Sequence, residues 1–302
     1  MFEQLKNLLN NNHYLSLEVT PSHGISNASL TKKIEDADII KSISGFVVTD
    51  SPLARLKSNS IITAYKLQQH FKKPSIATIT MRDRNKIALQ SDILGANELD
   101  IRAILCLTGD SVKASNQPNT KGVFEANSLF LLEIIKCFNS GIDYSGNPLT
   151  FPPNEILPFV VCNAKAKHKS SLIKKLTQKL KYNPIGVITQ PIYSKENAIF
   201  MQEVLKEAKQ NLPNKCDVEL ILGFFPVTKL RTAQFLNSHV PGVYIPEFWI
   251  EKLSNAKKIS EEEERHVGIE LSQKTYGDLI KIHPKIHLMG ANNFTLLKEI
   301  IS

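Results

Sequence analysis

Eight short apolar runs, rich in β-branched residues, recur along the chain and are separated by longer segments. They lie at 14–21, 45–50, 74–81, 102–109, 157–164, 184–192, 218–227 and 285–291. Nearly continuous apolar character is typical of strands that are covered on both faces, as in a parallel sheet. Parallel strands need long crossover connections, usually helices. The pattern therefore limits this chain to α/β folds.

The segments between the runs carry apolar residues at helical spacing, as in 30–43, 124–138 and 170–182. Such alternation fits either one closed barrel or two doubly wound domains. Eight repeats in 302 residues, with no Gly/Ser-rich or Pro-rich linker, favour a single-domain (β/α)₈ TIM barrel over residues 1–302. The longest interval, 228–284, contains SEEEER (260–265), which predicts a solvated helix start within an inserted segment.

Composition excludes several classes of protein. No apolar run reaches the roughly 20 residues that span a bilayer, and the amino terminus lacks a signal-peptide layout, so we expect a soluble cytoplasmic protein. The four cysteines lie far apart and suggest neither disulfides nor a zinc site. The net charge of +8 suits an anionic ligand, a phosphate-bearing cofactor or nucleic acid. Nucleic acid is disfavoured, because the basic run 163–181 lacks interleaved aromatic residues.

Polar and aromatic residues occur near the carboxyl ends of the predicted strands, where barrels of this type build their active sites. They are Glu18, Thr49, Asp50, Thr78, Thr80, Asp83, Asp110, Asn163, Gln190, Phe224 and Phe225. Thr and Asn there can equally cap helices. Capping does not require a carboxylate inside an apolar strand, however, so Glu18, Asp110 and Gln190 are the leading candidates. For Glu18 the alternative is a buried ion pair with a basic residue such as Arg84.

Known short motifs give little further guidance. Gly109, in LTGD, would let a flat ligand or a phosphate approach the backbone closely. The chain has no dinucleotide-binding glycine fingerprint, P-loop, H-E-x-x-H metal spacing or G-x-S-x-G elbow, so metal catalysis and nucleophilic catalysis are disfavoured. The lysines of 163–181 could hold a pyrophosphate, but a solvated helix face is the favoured interpretation for most of them.

Six blocks together carry a resemblance to a known family: SLEVTPS, TMRDRNKIALQSDILGA (80–96), ILCLTGD, IDYSGNPL (142–149), VITQPIYS and GFFPVTKLRTAQFLNSHVPGVYIPE (223–247). In order and spacing they resemble methylenetetrahydrofolate reductase, especially the bacterial form that elsewhere occurs fused to a homocysteine methyltransferase domain. The resemblance spans almost the whole chain, and six spaced blocks are more specific than any single motif.

The resemblance implies a flavoprotein that reduces 5,10-methylenetetrahydrofolate to 5-methyltetrahydrofolate with NAD(P)H, through FAD. It makes Glu18 the general acid that protonates the departing nitrogen, and an apolar strand end would favour the protonated carboxyl group. Asp110 would stay ionised and stabilise the cationic intermediate. Substrate binding would involve Gln190, whose amide offers both a donor and an acceptor, together with Thr232 and Asp110.

The resemblance also implies cofactor contacts. These fall at Thr49, Thr78, Leu107, Thr108, Gly109, Asp110, Phe124, Asn163, His168 and Lys179, with Lys179 the candidate phosphate partner. The chain departs from the family pattern at four positions. The family often has His at Thr78, Arg at Thr108, an aromatic residue at Asn163 and a basic residue near Asn293.

Alternatives therefore stay open. Some relatives work without a bound flavin and others receive electrons through a partner subunit, so a flavin-independent or partner-fed folate reductase remains an option. A non-catalytic folate- or flavin-binding barrel is a third. A barrel lyase is disfavoured, because no strand interior offers a Schiff-base lysine. We expect a homo-oligomer, and an electron-transfer partner is compatible with the sequence.

Overall fold

A parallel barrel forms the centre of the molecule. The computed structural model describes residues 1–25, 28–166, 168–240 and 242–302. Within these, the strands are β1 (Tyr14–Val19), β2 (Gly45–Val48), β3 (Ser75–Thr80), β4 (Ala103–Leu107), β5 (Leu157–Cys162), β6 (Gly186–Pro191), β7 (Glu219–Phe224) and β8 (Lys285–Leu288). They pair in sequence order, all in parallel, and β8 pairs with β1 to close the barrel. The predicted (β/α)₈ fold is confirmed.

Helices surround the barrel. They are α1 (Phe2–Asn10), α2 (Ala28–Asp36), α3 (Ser60–Phe71), α4 (Lys86–Glu98), α5 (Ser128–Asn139), α6 (Lys169–Leu180), α7 (Lys195–Gln210), α8 (Leu230–His239), α9 (Glu247–Ile259), α10 (Glu261–Ile282) and α11 (Phe294–Ile301). Side-chain oxygens of Asn59, Asn85 and Asn127 accept backbone N–H bonds at the starts of α3, α4 and α5. These bonds satisfy donors that have no partner within a helix, and they fix where each helix begins.

Alternation along the strands separates two sets of side chains. Leu15, Leu17 and Val19 of β1 belong to the core between the barrel and its helices, whereas Tyr14 belongs to a second cluster inside the barrel. The inner cluster also contains one or two residues from several other strands, namely Val47, Ile76, Ala103, Leu105, Leu157, Phe159, Ile188 and Ile221. Each buried Val, Leu, Ile or Phe side chain among them stabilises the fold by about 1.5–3 kcal/mol.

Helix α1 covers the amino-terminal end of the barrel. Leu5 and Leu9 of α1 are buried against the inner cluster. Beside them, the ammonium group of Lys285 donates to the Leu9 carbonyl and to the Glu219 carboxylate, so this buried charge is paired. The carboxyl ends of the strands are therefore the end of the barrel at which a ligand can enter.

The crossover from β7 to β8 contains three helices, α8 to α10, with a small core of their own around Trp249. Ser260 caps α10 by accepting from the Glu263 amide, so SEEEER does begin a helix. Glu264 is the exception to its predicted solvation: it is buried and accepts from the Leu230 amide at the start of α8. In the described part of the chain, no helix combines the length and apolarity needed to cross a membrane.

Candidate active site

A cavity of about 380 Å³ opens at the carboxyl ends of the strands. Strand alternation places one inward-facing residue from several strands around it. Among its lining residues are Glu18, Thr49, Thr78, Leu107, Thr108, Gly109, Asp110, Lys179, Gln190, His287 and Met289. The structure thus brings Glu18, Asp110 and Gln190, which come from β1, the end of β4 and β6, to one site.

Glu18 lies in a polar network that spans the β1–β8 seam. Its Oε2 is 3.9 Å from Nε2 of His287, and Nδ1 of His287 is 2.9 Å from Oγ of Ser16. Ser16 and His287 are direct partners in the pairing of β1 with β8, and both are buried. The Glu18 side chain is 22% exposed and faces the cavity. The carboxyl group therefore has a polar partner on its protein side and open space on the other.

Arg84 does not pair with Glu18, so the alternative role for that carboxylate is not seen. Its guanidinium group donates to Asp50 at 2.6 Å and to Asp92 at 2.6 Å. Asp50 is buried and also accepts from the backbone N–H and the hydroxyl group of Thr80. These bonds join the ends of β2 and β3, and they leave Glu18 free of any arginine.

Asp110 stands at the rim of the cavity on the turn that follows β4. Its Oδ2 accepts from the Leu53 backbone N–H at 2.6 Å. Gly109, just before it, has a φ of 95°, and a Cβ there would lie 2.9 Å from Cβ of Arg82. Both constraints require glycine at this position, because other residues rarely adopt such a φ and the space is already filled. Gly109 thus lets the chain turn so that Asp110 reaches the mouth.

Gln190 is positioned by an irregularity in the β6–β7 pairing. The register shifts between Ile188 and Pro191. Within it, the Thr189 hydroxyl group accepts from the Gly223 amide at 2.9 Å and donates to the Gln190 carbonyl at 2.8 Å. A bulge of this kind reorients a side chain at a barrel rim. Gln190 lines the cavity, two strands along the barrel from β4, which Asp110 follows.

A second cavity of about 450 Å³ adjoins the first. The two share Thr108, Ser128, Val161 and Lys179 as lining residues. The rest of the second cavity is lined about equally by polar side chains, which are Asn127, Asn163, Ser171, Lys175 and Gln178, and by apolar ones, which are Leu129, Cys162, Ala166, Leu172 and Leu176. Together the two cavities form an elongated site, wide enough for a ligand larger than a single ring system.

Lys179 lies where the two cavities meet. Its Nζ donates to the Val161 carbonyl at 2.8 Å, and within the described chain no carboxylate forms an ion pair with it. Burial lowers the pKa of Lys179, and the charge of nearby Lys175 adds to that shift. Burial also raises the pKa of Cys162 to about 11, so this thiol stays neutral. A cation without a protein counter-charge fits an anionic or electron-rich ligand.

Three predicted site residues do not line either cavity. Phe124 is 36% exposed on the loop before α5, His168 is exposed at the N-cap of α6, and Thr232 lies in the first turn of α8. Asn163 lines only the second cavity. The roles predicted for these residues remain predictions.

Most lysines of the run 163–181 keep their heads at the surface, in line with the favoured interpretation. Lys169 pairs with Glu203 and Glu207, and the Lys165 ammonium group lies 3.4 Å from the Tyr244 ring centroid. Lys167 lies outside the described residues. In the described ranges no group of three or more His, Cys, Asp or Glu side chains is arranged to hold a metal ion.

Two contributors to the site, His287 and the Leu53 amide, were not predicted. Nothing near His287 in sequence distinguishes it from a surface or packing histidine. Ser16, which bonds to His287, was predictable: it lies two residues before Glu18 in β1, and the period of two puts both side chains on the same face of the strand. No sequence pattern could have identified the partner of the Leu53 backbone.

Known proteins that are similar to this chain indicate its family. The family model described as methylenetetrahydrofolate reductase matches residues 2–302, and no curated protein sequence matches the chain. Among solved structures, a Clostridium thermocellum protein that binds two copies of 5-methyl-5,6,7,8-tetrahydrofolic acid is 15% identical, with a TM-score of 0.61, covering 98% of this chain and 96% of that one.

Two further solved structures share the fold at lower identity. EDTA monooxygenase from Chelativorans sp. BNC1 is 12% identical, with a TM-score of 0.55, covering 95% of this chain and 91% of the other. DmoA from Hyphomicrobium sulfonivorans is 9% identical, with a TM-score of 0.58, covering 96% and 87% respectively. At these identities the likeness extends to the barrel fold alone.

Proposed function

Because the chain belongs to the methylenetetrahydrofolate reductase family, we propose that it reduces 5,10-methylenetetrahydrofolate to 5-methyltetrahydrofolate, with NAD(P)H as electron source and FAD as cofactor. The observation that carries the proposal is the placement of Glu18, Asp110 and Gln190 around one cavity. The folate-bound C. thermocellum protein with the same fold supports a folate as the ligand.

Glu18 is the proton donor in this mechanism. The bond between the methylene carbon and N10 of the substrate breaks, and its electron pair goes to N10, which takes the proton from Glu18. The methylene carbon stays on N5 as a cationic iminium and becomes a methyl group on accepting hydride. His287, whose other ring nitrogen bonds to Ser16, lies 3.9 Å from the carboxyl group on the protein side, and the other side of the carboxyl group is open to the substrate. General acid catalysis of this kind contributes typically 10²–10⁴-fold.

Asp110 supplies the negative charge that the cationic iminium requires. It lies on the β4 turn, across the cavity from β1, and carries no basic side-chain partner within the described ranges. A carboxylate that is fixed before the reaction stabilises developing positive charge without reorganising. Gln190 faces the same space and offers a donor and an acceptor to the pterin ring edge.

The site fits FAD in charge and extent. Bound FAD would supply hydride to the substrate carbon. Lys179, at the junction of the cavities and without a counter-ion, would bind an anionic part of the cofactor. Thr108 and Ser128, shared by both cavities, would donate hydrogen bonds along it, and Thr49 and Thr78 line the first cavity.

A flavin-independent or partner-fed reductase is the second candidate, and the small side chains at three positions favour it. Thr78, Thr108 and Asn163 stand where related enzymes often place His, Arg and an aromatic residue, so fewer contacts would hold the cofactor. A non-catalytic barrel would use the same pocket without turnover. Cytoplasmic location, homo-oligomerisation and an electron-transfer partner stay predictions from the sequence.

One experiment separates these functions. The purified protein is incubated with FAD, its visible absorption is recorded, and NADH and then methylenetetrahydrofolate are added without oxygen. The proposed reductase binds FAD, loses the flavin absorption on reduction by NADH, and regains it on adding the folate. Folate reduction by NADH in a colourless protein would establish the second candidate instead. Binding of folate without turnover by NADH would leave the partner-fed reductase and the non-catalytic binding protein.

A further inference from the structure

The four residues after Asp50, here called the strap (residues 51–54), have an unusual backbone. Ser51, Leu53 and Ala54 have φ angles of 43°, 55° and 54°, with Pro52 between them. None is glycine, and the left-handed region is unfavourable for residues that carry a Cβ. A backbone of this kind persists only where its surroundings hold it.

Both ends of the strap are anchored. Asp50 is buried and accepts from Thr80 and Arg84. On the far side, the Ser58 amide donates to the Ser22 carbonyl and the Ser58 hydroxyl group donates to the Gly24 carbonyl. Any change of conformation is thus confined to a short segment between two fixed points.

Among the residues that the structure describes, one hydrogen bond ties the middle of the strap to the site. The Leu53 amide donates to Asp110 Oδ2 at 2.6 Å, and hydrogen bonds to a charged acceptor are among the stronger ones. Pro52 and Asp110 both line the first cavity. A ligand in that cavity whose N–H donors reach Oδ2 of Asp110 would therefore compete with the Leu53 amide for that oxygen.

We propose that the strap is latched onto Asp110 by the Leu53 amide in the free protein and is released when a bound folate takes over the Asp110 carboxylate. This rests on the proposed function for the identity of the ligand, because the aminopyrimidinone edge of a reduced pterin carries the competing N–H donors. Release lets Ser51, Leu53 and Ala54 leave their unfavourable left-handed backbone conformation. It also moves Pro52, which lines the first cavity. The latched state lowers the apparent affinity for folate, since only the released fraction is competent to bind.

Amide hydrogen exchange of the full-length protein tests the latch without any ligand. In Asp110→Ala the acceptor is gone, so exchange of the Leu53 amide should accelerate about 10-fold or more relative to the wild type. Exchange in β3, which Asp110 does not hold, provides the internal control. Unchanged exchange at residues 51–54 in Asp110→Ala would overturn the latch, whatever the protein binds.

The release step is tested with 5-methyltetrahydrofolate as the probe, its binding being measured by calorimetry. At saturation, the Leu53 amide of the wild type should exchange faster. Leu53→Pro, which lacks the N–H and cannot adopt the φ of 55° that residue 53 has in the latched strap, should bind the probe about 5-fold more tightly than Leu53→Ala, which keeps the N–H. Slower exchange in the complex, or equal affinity of the two variants, would overturn release. If the wild type binds no probe at all, the proposed function fails together with release, whereas the Asp110→Ala result still decides the latch.

Discussion

Glu18 on β1 and His287 on β8 face each other across the seam that closes the barrel, with Oε2 3.9 Å from Nε2. The other ring nitrogen of His287 bonds to Ser16, which lies two residues before Glu18 on the same face of β1. A buried histidine and serine thus support a carboxyl group that opens onto the cavity. This arrangement makes Glu18 the most direct target for testing the proposed chemistry.

Glu18→Gln should slow reduction of methylenetetrahydrofolate by about 10²-fold or more, because the amide cannot donate the proton to N10. Reduction of the cofactor by NAD(P)H and binding of 5-methyltetrahydrofolate should be nearly unchanged, as both leave this proton in place. Stopped-flow measurement of the two half-reactions checks the prediction. Glu3→Gln, on the exposed face of α1, is the matched control. Wild-type rates in Glu18→Gln would remove the residue from catalysis.

His287→Gln should lower kcat for folate reduction by about 10-fold, with little change in KM, because a misplaced catalytic group reduces rate more than binding. Ser16→Ala should have a smaller effect in the same direction, since it removes only the bond behind the imidazole ring. Steady-state kinetics across a pH series check both. A purely structural role predicts instead that thermal stability falls while the pH profile of kcat keeps its shape.

Lys179→Met should weaken FAD binding by at least about 10-fold, as expected for loss of a hydrogen bond to a charged group. Titration of the apoprotein, followed by flavin fluorescence, measures this directly. Because burial lowers the pKa of Lys179, wild-type affinity should also decline with rising pH before an exposed lysine would lose its proton. Lys181→Met, with an exposed side chain two residues away, is the control. Equal affinities in the two variants would place the anionic group elsewhere.

Asp50→Asn should destabilise the fold by about 3 kcal/mol, because it removes a buried carboxylate and leaves the mostly buried Arg84 guanidinium group with one carboxylate fewer. Asp92→Asn removes the other partner, whose side chain is 35% exposed, and should cost about 1 kcal/mol or less. Urea unfolding compares the two variants. If Asp92→Asn is the more destabilising, the bonds of Asp50 to Thr80 and Arg84 are not the main support for the ends of β2 and β3.

His283 should make the fold less stable in mild acid. Burial lowers its pKa below the usual 6.5, the bond to the Leu220 carbonyl opposing the shift and Lys285 adding to it. As the pH falls, the unfolded chain therefore binds the proton first. The folded state keeps its full stability above about pH 6.5 and loses stability as the pH falls towards the lower pKa that His283 has in the folded protein.

Melting temperatures from neutral pH to about pH 5 measure this decline. His283→Asn should flatten the slope in that range, even though it lowers stability at neutral pH by removing the Leu220 bond. His13→Asn, at an exposed position, should retain the wild-type slope. An unchanged slope in His283→Asn would assign the acid sensitivity to other groups.

The alternation of apolar runs with amphipathic segments was sufficient for the fold. All eight predicted strands form, because runs of Val, Ile and Leu that are covered on both faces have few other stable arrangements. Helix boundaries were less exact. The segment 124–138 begins as a helix only at Ser128, where Asn127 caps it, and the segment 30–43 is α-helical only to Asp36. Local capping bonds set such ends, and apolar spacing does not reveal them.

The sequence by itself determined that Glu18, Thr49, Thr78 and Gln190 would be near the carboxyl ends of parallel strands, because strand polarity and a period of two fix end and face. Tertiary structure alone decided which groups meet. Closure of β8 on β1 put His287 beside Glu18, and the β2 turn put the Leu53 amide on Asp110. Those contacts join residues far apart in the chain, and their energies depend on distances and desolvation that exist only once the barrel has closed.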